Sequence, residues 1–253
     1  MFAEKVFIVT GAASGMGKST ALLLAERGAK VILADLNQTA GEGVQADIIA
    51  RGGQAHFVCT NIADEQDVQR MVNSAVDQYG RLDGAFNNAG IEMSFKLLHD
   101  ITLDEWCKRI DINLTGTFLC MKYEIAAMLK TGGGSIVNTA SIWGQVGGVG
   151  ISDYAATKHG VNGLTRCAAN DYGANNIRVN AILPGTIETP MILERANSVE
   201  GFADVLEIAR HRHALKRFGQ PEEIATAVAW LLSDEASFVS GSTIPVDGGF
   251  LSN

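Results

Sequence analysis

Residues 5–17 read KVFIVTGAASGMG, an apolar run of strand length that leads directly into a turn with three glycines. Glycines at such a turn allow a sharp bend and let a ligand approach the backbone closely. Residues 16–27 carry apolar side chains at helical spacing, so a strand, a glycine turn and a helix are predicted in succession. The first amides of a helix in this position point at an anion bound in the turn, such as a pyrophosphate.

The rest of the chain continues this alternation of apolar strand-length runs with amphipathic helix-length stretches. Strands are predicted at 5–10, 30–35, 54–59, 82–87, 134–139, 177–182 and 243–246, and helices at 16–27, 39–51, 64–79, 103–130, 153–173 and 221–232. Strands that are apolar on both faces and separated by helices are typical of a parallel sheet covered on both sides. The sequence therefore predicts an α/β fold, a Rossmann-type doubly wound parallel sheet with helices on both faces, in a single domain over residues 1–253.

The segment 186–215 is the only long stretch outside this alternation. It is too long for a plain connection, so it is predicted to form either a lid over a substrate or a disordered loop. It contains the apolar residues Met191, Ile192, Leu193, Phe202, Val205 and Leu206. These side chains favour an uncharged substrate, or else they simply pack the segment against the sheet.

Composition and charge limit the classes of function. The net charge of −8 argues against nucleic acid or an anionic membrane as a partner, since both require a basic surface. We expect no signal peptide, no membrane span and a cytoplasmic location. The four cysteines lack the spacing of metal ligands, so we expect buried reduced thiols and no metal site.

A carboxylate follows the glycine turn at the distance that dinucleotide-binding proteins require. Asp35 ends the second predicted strand, 24 residues after Gly11, where it can accept hydrogen bonds from both hydroxyls of an adenosine ribose. A three-glycine turn alone also occurs for packing reasons, and Asp35 favours the binding interpretation. The predicted cofactor is NAD.

The candidate catalytic residues meet at the same edge of the predicted sheet. Tyr154 and Lys158 are four residues apart at the start of a helix, so their side chains lie on one face. Such a pair also arises by chance on solvent-exposed helices. Ser141, however, follows the strand 134–139 at its carboxyl end, and Asn113 lies inside the long helix before that strand.

These motifs, in this order and over essentially the whole chain, resemble the short-chain dehydrogenase/reductase family. The matching elements are the TGAASGMG turn, Asn87-Asn88-Ala89-Gly90, Asn113, Ser141, Tyr154 with Lys158, and Pro184-Gly185-Thr186-Ile187-Glu188-Thr189. The resemblance implies an NAD-dependent oxidoreductase that interconverts a secondary alcohol and a ketone. The runs 118–123 and 135–141 look like those of bacterial dehydrogenases of cyclic alcohols and diols.

The resemblance also implies a role for each catalytic residue. Tyr154 is expected to be the general acid/base, with its pKa lowered by the Lys158 ammonium and a positive nicotinamide. Lys158 is also expected to bind the nicotinamide ribose. Ser141 is expected to hold the substrate oxygen, and Asn113 to anchor a water molecule that links Lys158 to solvent.

The remaining family positions carry over to cofactor and substrate contacts. The implied cofactor-binding residues are Gly11, Ala13, Ser14, Gly15, Met16, Asp35, Leu36, Asn61, Ile62, Asn88, Ala89, Gly90, Tyr154, Lys158, Pro184, Ile187, Thr189 and Met191. The implied substrate pocket comprises Ser141, Trp143, Tyr154, Gly185 and Met191, with Trp143 equally able to be core. Asn61 stands where the family commonly has Asp beside the adenine. Among the histidines, His159 is expected to be structural, and His211 and His213 to be solvated.

Quaternary structure and the competing functions are also implied by the resemblance. In this family the helix 153–173, the long helix before it and the glycine-rich end 247–251 form subunit contacts, which implies a homotetramer, with a dimer as the alternative. A ketoacyl-type carbonyl reductase of lipid metabolism is one competing function, although such enzymes usually favour NADPH and a basic surface. A non-catalytic NAD(H)-binding sensor is the other, although it has no need for Ser141, Tyr154 and Lys158 together.

Overall fold

The computed structural model describes residues 1–198 and 201–252, apart from the side chains of residues 191, 197 and 198. Its seven strands are β1 Val6–Thr10, β2 Lys30–Asp35, β3 Gln54–Cys59, β4 Gly84–Asn87, β5 Gly134–Thr139, β6 Ile177–Pro184 and β7 Thr243–Val246. All neighbouring pairs are parallel, in the order β3-β2-β1-β4-β5-β6-β7. This arrangement confirms the predicted doubly wound parallel sheet.

Helices connect the strands and cover the sheet. They are α1 Gly15–Glu26, α2 Gln38–Ala50, α3 Glu65–Tyr79, α4 Leu103–Arg109, α5 Gly116–Thr131, α6 Ser152–Tyr172, α7 Pro190–Ser198, α8 Phe202–Arg212 and α9 Pro221–Leu232. Local chemistry sets their ends, as α3 illustrates. The Asp64 side chain accepts hydrogen bonds from the amides of Gln66 and Asp67, and Gly80 ends the helix at φ +77°. In the described ranges no helix is long and apolar enough to cross a membrane.

Strand β1 contributes to a hydrophobic core on each face of the sheet. Phe7 and Val9 pack in the core formed with α1, α2 and α9, whereas Val6 and Ile8 pack in the core formed with α3 and α5. Successive side chains of a strand point to opposite faces, so a strand buried on both sides must be apolar throughout. This explains why residues 6–9 form a continuous apolar run.

The strand order reverses at β1, which pairs with β2 on one side and with β4 on the other. Ligands of doubly wound sheets bind beyond the carboxyl ends of the strands at such a reversal. The glycine turn follows β1 at this point, and the candidate catalytic residues Ser141, Tyr154 and Lys158 follow β5 at the same edge.

Three expectations about local structure need correction. The predicted helix 103–130 is interrupted by a π-helical turn, Ile110–Thr115, between α4 and α5. Cys59, Cys107 and Cys167 are exposed, and Cys120 alone among the four is buried, because the other three lie on an edge strand or on outer helix faces. In the segment 186–215, residues 190–198 and 202–212 form the helices α7 and α8, so the alternative of a disordered loop was wrong, and the lid stays a prediction.

Candidate active site

The glycine turn has the conformation that its sequence predicts. Gly11 and Gly15 have φ values of +66° and +51°, which L side chains rarely adopt. A Cβ atom on Gly17 would lie 2.1 Å from the carbonyl oxygen of Gly11, so the helix can start this close to the turn only with glycine there. A Cβ on Gly15 would lie 3.1 Å from Thr189 Cγ2. Thr189, one of the cofactor-binding residues predicted after β6, therefore lies against the glycine turn.

The Asp35 carboxylate lies beside the same turn. Its Oδ2 accepts a hydrogen bond from the Ala13 amide at 3.0 Å, and its Oδ1 accepts one from the Asn37 amide at 2.9 Å. These two bonds fix the carboxylate at the end of β2, where Leu36 is exposed. A glycine turn that can bind a pyrophosphate, with a carboxylate beside it that can bind ribose hydroxyls, fits a dinucleotide.

The segment after β4 is held against the turn by Thr10, whose side chain was not predicted to have a role. Thr10 Oγ1 accepts hydrogen bonds from the amides of Asn88 and Ala89 at 2.9 and 3.0 Å, and Asn88 Nδ2 donates to the Thr10 carbonyl at 3.2 Å. Asn88 Oδ1 is buried without a hydrogen-bond partner among the described residues. It is an acceptor available to a ligand at this edge.

Asn61 and Ile62 follow β3 two and three residues after its last residue, Cys59. The Asn61 amide donates to Asp67 Oδ2 at 2.9 Å, and Asn61 Oδ1 accepts from the Ala63 amide at 3.1 Å. This leaves the amide oxygen one further lone pair for a donor such as the adenine amino group. Ile62 is buried, and a Cβ on Gly116 would lie 2.8 Å from its Cδ1.

Ser141, Tyr154 and Lys158 come together beyond the carboxyl end of β5. Tyr154 and Lys158 share one face of α6, with Lys158 Nζ 5.4 Å from the centroid of the Tyr154 ring. The Ser141 hydroxyl is hydrogen-bonded to Tyr154. Lys158 is buried, and its Nζ donates to the Thr139 carbonyl at 2.7 Å. The segment after β5 and the first turns of α6 thus bring a hydroxyl, a phenol and an ammonium to one place.

The pKa of the Tyr154 phenol depends on its burial and on neighbouring groups. Its burial raises its pKa to about 12, although the hydrogen bond with Ser141 acts in the opposite direction, and the Glu92 carboxylate raises the pKa further. Burial also lowers the pKa of Lys158 to about 8. Burial is thus the largest influence of the protein groups on the pKa of Tyr154, and the lowering expected from Lys158 together with a positive nicotinamide stays a prediction.

Asn113 occupies the π-helical turn and is fully buried. Its Nδ2 donates to the Ile91 carbonyl at 2.9 Å and its Oδ1 accepts from the Ile91 amide at 2.8 Å. The side chain therefore holds the segment after β4 in place, and a Cβ on Gly90 would lie 3.0 Å from Asn113 Oδ1. The water-anchoring role stays a prediction.

A buried ion pair next to the catalytic tyrosine was not predicted. Asp153 is fully buried, and its Oδ2 lies 2.8 Å from Arg109 Nε. Its Oδ1 accepts a hydrogen bond from the Tyr154 amide at 2.8 Å, and the Ser94 amide donates to Oδ2 at 3.2 Å. The only sequence signal was an aspartate in the first turn of a helix. Its pairing with an arginine 44 residues away cannot be read from a pattern.

The histidine at the end of α8 corrects another expectation. His213 is buried, its Nδ1 lies 2.7 Å from the Ala209 carbonyl, and its Nε2 accepts from the Thr186 amide at 3.1 Å. The prediction of a solvated side chain was wrong because position 213 turns inward from the helix to bind the segment after β6. His211 and His159 are exposed.

The predicted substrate pocket stays a prediction, since the described contacts join Ser141 to Tyr154 but do not join Gly185 to either. A Cβ on Gly185 would lie 2.7 Å from His213 Nε2, and Gly185 lines a cavity of about 270 Å³ beside β6 and β7. Neither Ser141 nor Tyr154 is among the described residues that line this cavity. Trp143 packs edge-on against Phe250, with ring centroids 5.6 Å apart. The side chain of Met191 lies outside the described part of the structure.

The sequence as a whole matches known proteins over nearly its full length. Residues 11–251 match the family model described as Enoyl-(Acyl carrier protein) reductase. The 2,5-dichloro-2,5-cyclohexadiene-1,4-diol dehydrogenase of Sphingobium indicum is 48% identical over 247 residues, which cover 97% of this chain and 96% of that protein. The cyclohexanol dehydrogenase of an Acinetobacter species is 46% identical over 251 residues, which cover 99% and 96%. The chain belongs to the short-chain dehydrogenase/reductase family.

A solved structure supports the assignment to the short-chain dehydrogenase/reductase family. The crystal structure of a levodione reductase has a TM-score of 0.95 and 40% sequence identity, and the match covers 98% of each chain. Family membership confirms the resemblance drawn from the motifs and makes the protein an oxidoreductase that uses a nicotinamide cofactor.

Proposed function

We propose that this protein is an NAD-dependent dehydrogenase of a secondary alcohol on an uncharged cyclic or aryl substrate, and that it also reduces the corresponding ketone. The observation that carries the proposal is the meeting of Ser141, Tyr154 and Lys158 at the same edge of the parallel sheet as the glycine turn. The names of the relatives support the cyclic class, since the most similar ones include dehydrogenases of cyclohexanol and of a cyclohexadiene diol.

Each catalytic residue has a role that its surroundings support. In alcohol oxidation the Tyr154 phenolate takes the hydroxyl proton, and in ketone reduction the neutral phenol returns it. The Ser141 hydroxyl holds the substrate oxygen next to the phenol. The Lys158 ammonium stabilises the phenolate, since even with its lowered pKa of about 8 it is mostly charged at neutral pH. NAD, when bound, supplies the hydride acceptor.

The cofactor contacts are proposed for residues on both sides of the strand-order reversal. They are Gly11, Ala13, Ser14, Gly15, Met16, Asp35, Leu36, Asn61, Ile62, Asn88, Ala89, Gly90, Pro184, Ile187 and Thr189, with Met191, Tyr154 and Lys158. The preference for NAD over NADP rests on Asp35. Its fixed carboxylate accepts hydrogen bonds from ribose hydroxyls, whereas it repels the phosphate that NADP carries on the same sugar.

A substrate panel tests the proposal. We expect NADH formation with cyclic or aryl secondary alcohols and NAD⁺ at alkaline pH, and a lower kcat/KM with linear ones. Tyr154→Phe should lose more than 90% of kcat while binding NADH normally, because general acid/base catalysis supplies roughly 10²–10⁴-fold. A chain that binds NADH but oxidises no alcohol of the panel, or a Phe variant with near wild-type kcat, would refute it.

A ketoacyl reductase is the second candidate. The 3-oxoacyl-[acyl-carrier-protein] reductase of Thermotoga maritima is 39% identical over 98% of each chain. Reduction of an acetoacetyl thioester with NADPH distinguishes the two proposals. Turnover of this substrate that exceeds turnover of every cyclic ketone would favour the second.

We also propose that α7 and α8 form a lid over the substrate. Hydrogen exchange with and without NADH plus a ketone should show added protection in α7 and α8.

A homotetramer is the proposed assembly. Phe118 is exposed on a concave surface shared by α5 and α6, together with Leu114, Thr115, Gly160, Gly163, Leu164 and Cys167. An apolar surface of this kind favours burial between subunits. Sedimentation should give the mass of four chains, and two chains would favour the dimer.

A further inference from the structure

Arg195 connects the lid to the segment after β4. Its guanidinium on α7 forms an ion pair with Glu92 and lies over the Phe95 ring, 3.9 Å from the centroid. It also lies 5.2 Å from the ring centroid of Phe202 on α8, and the Phe95 and Phe202 rings meet edge-on at 5.9 Å. The Arg195 side chain thus contacts both the segment after β4 and the second lid helix, α8.

The segment after β4 that contacts Arg195 has an unusual backbone conformation at Phe95. Phe95 has a φ of +56°, which is rare for a large side chain and persists only where surrounding contacts hold it. The Arg195 and Glu92 side chains are 22% and 33% exposed. They are therefore better shielded from solvent than the pair of Arg210 and Glu207 on α8, whose side chains are 46% and 50% exposed. Shielding makes the Arg195–Glu92 attraction stronger.

Glu92 also acts on the catalytic phenol, because its negative charge raises the pKa of Tyr154. Among the described residues, the other charged groups close to Tyr154 include Lys158 on α6, and Asp153, which is paired with Arg109 on α4. Arg109 Nε also donates to the Glu92 carbonyl at 3.2 Å. The charge that Arg195 neutralises is therefore one that opposes formation of the phenolate.

We propose that Arg195 is a positioning residue for the reaction. It holds the lid against Glu92, Phe95 and Phe202, and it offsets the Glu92 carboxylate when the lid is closed over the catalytic residues. This inference rests on the proposed function of Tyr154 as general acid/base. It makes lid closure favour formation of the phenolate, since closing the lid brings the positive charge of Arg195 to the carboxylate that raises the pKa of Tyr154.

Two substitutions separate this role from a merely structural one. Arg195→Gln and Glu92→Gln both break the ion pair, so both should raise KM, by up to about fivefold for a partly shielded pair. Their effects on Tyr154 should have opposite signs. Arg195→Gln leaves Glu92 uncompensated and should move the midpoint of the pH profile for alcohol oxidation up by roughly half a unit. Glu92→Gln removes the carboxylate and should move the midpoint down.

The measurement is the pH profile of kcat/KM for oxidation of cyclohexanol, used as the probe, with NAD⁺. The double variant should follow Glu92→Gln, and Arg195→Lys should keep the wild-type midpoint because it keeps the charge. Arg210→Gln is the matched control, since it removes an arginine of the lid from an exposed ion pair and should change neither KM nor midpoint. Midpoints that coincide for Arg195→Gln, Glu92→Gln and wild type would overturn the inference.

A second measurement does not depend on turnover. The ultraviolet absorbance of tyrosinate, taken as the difference between each protein and its Tyr154→Phe counterpart, follows ionisation of Tyr154 directly in the presence of NAD⁺. The same opposite displacements are expected. If the wild type oxidises no alcohol but these displacements occur, the proposed function fails and the electrostatic role of Arg195 stands. If the wild type is active and the displacements are absent, only the inference fails.

Discussion

Replacing Glu124 with glutamine should make the protein more stable at neutral and alkaline pH. Glu124 on α5 is fully buried, and burial raises the pKa of its carboxyl group to about 7. One carboxylate oxygen accepts a hydrogen bond from Asn87 Nδ2 at 2.9 Å. The other, Oε1, has no partner in the described part of the chain, and the same holds for Asn87 Oδ1. The site therefore favours a neutral group with a donor hydrogen.

The magnitude comes from the difference in pKa between the folded and unfolded states. In the unfolded chain the carboxyl group ionises at its ordinary value, whereas in the folded protein it holds its proton up to about pH 7. The folded state therefore binds more protons between these values, so the free energy of unfolding falls as the pH rises through this window. The loss is about 3 kcal/mol in total and is complete above pH 7.

Glu124→Gln removes this pH dependence because an amide does not ionise. We expect its free energy of unfolding to exceed that of the wild type by up to about 3 kcal/mol at about pH 8 and to differ little at about pH 5. Urea unfolding at both pH values is the assay. Glu26→Gln, at an exposed glutamate on α1, is the control and should leave the wild-type pH dependence unchanged. A Glu124→Gln variant with the same pH dependence as the wild type would refute the reasoning.

Three further predictions concern the proposed reaction. Alcohol oxidation should rise with pH as the Tyr154 phenolate forms and ketone reduction should fall, so parallel pH profiles in the two directions would contradict a titrating phenol. Asp35→Ala should narrow the preference for NAD over NADP, which repulsion of roughly 4 kcal/mol at about 4 Å makes at least tens-fold in the wild type. The ratio of kcat/KM values measures it, and an unchanged ratio would exclude Asp35 as the discriminator. Asp153→Asn should lower stability by about 3 kcal/mol, because it leaves Arg109 without its buried partner, and should lower kcat by displacing Tyr154. Urea unfolding and kcat test this together, and a variant unchanged in both would show the ion pair to be dispensable.

The fold was predictable because burial on both faces leaves a strong pattern in the sequence. The predicted bounds of β2, β3, β5, β7 and α9 agree with the structure at both ends. The π-helical turn was not predictable from periodicity, since α4 and α5 each keep regular helical spacing and the extra residue between them changes only the phase. The prediction of buried cysteines was wrong for three of the four because cysteine is usually buried, whereas the position on a helix face or an edge strand decides the exposure of Cys59, Cys107 and Cys167.

The candidate site was predictable where neighbouring residues or known motifs define it. Tyr154 and Lys158 are one helical turn apart, and Asp35 ends a strand, so their positions are set by local structure. Interactions between distant segments were missed, as for Asp153 with Arg109, Glu92 with Arg195 and His213 with Thr186. These contacts depend on how loops and lid helices approach one another, and the sequence carries no periodic trace of that approach.

The π-helical turn at Ile110–Thr115 constrains how this chain can change in length during evolution or engineering. Each residue of a helix rotates all later residues by roughly 100°, so deleting one residue here would give a continuous helix with every later side chain moved to a different face. Either Arg109 would leave Asp153, or the apolar residues of α5 would leave the sheet. Asn113 would lose Ile91 in both cases. Point substitutions can be tolerated around this turn, but a single-residue deletion should inactivate the protein even though the helix itself becomes more regular.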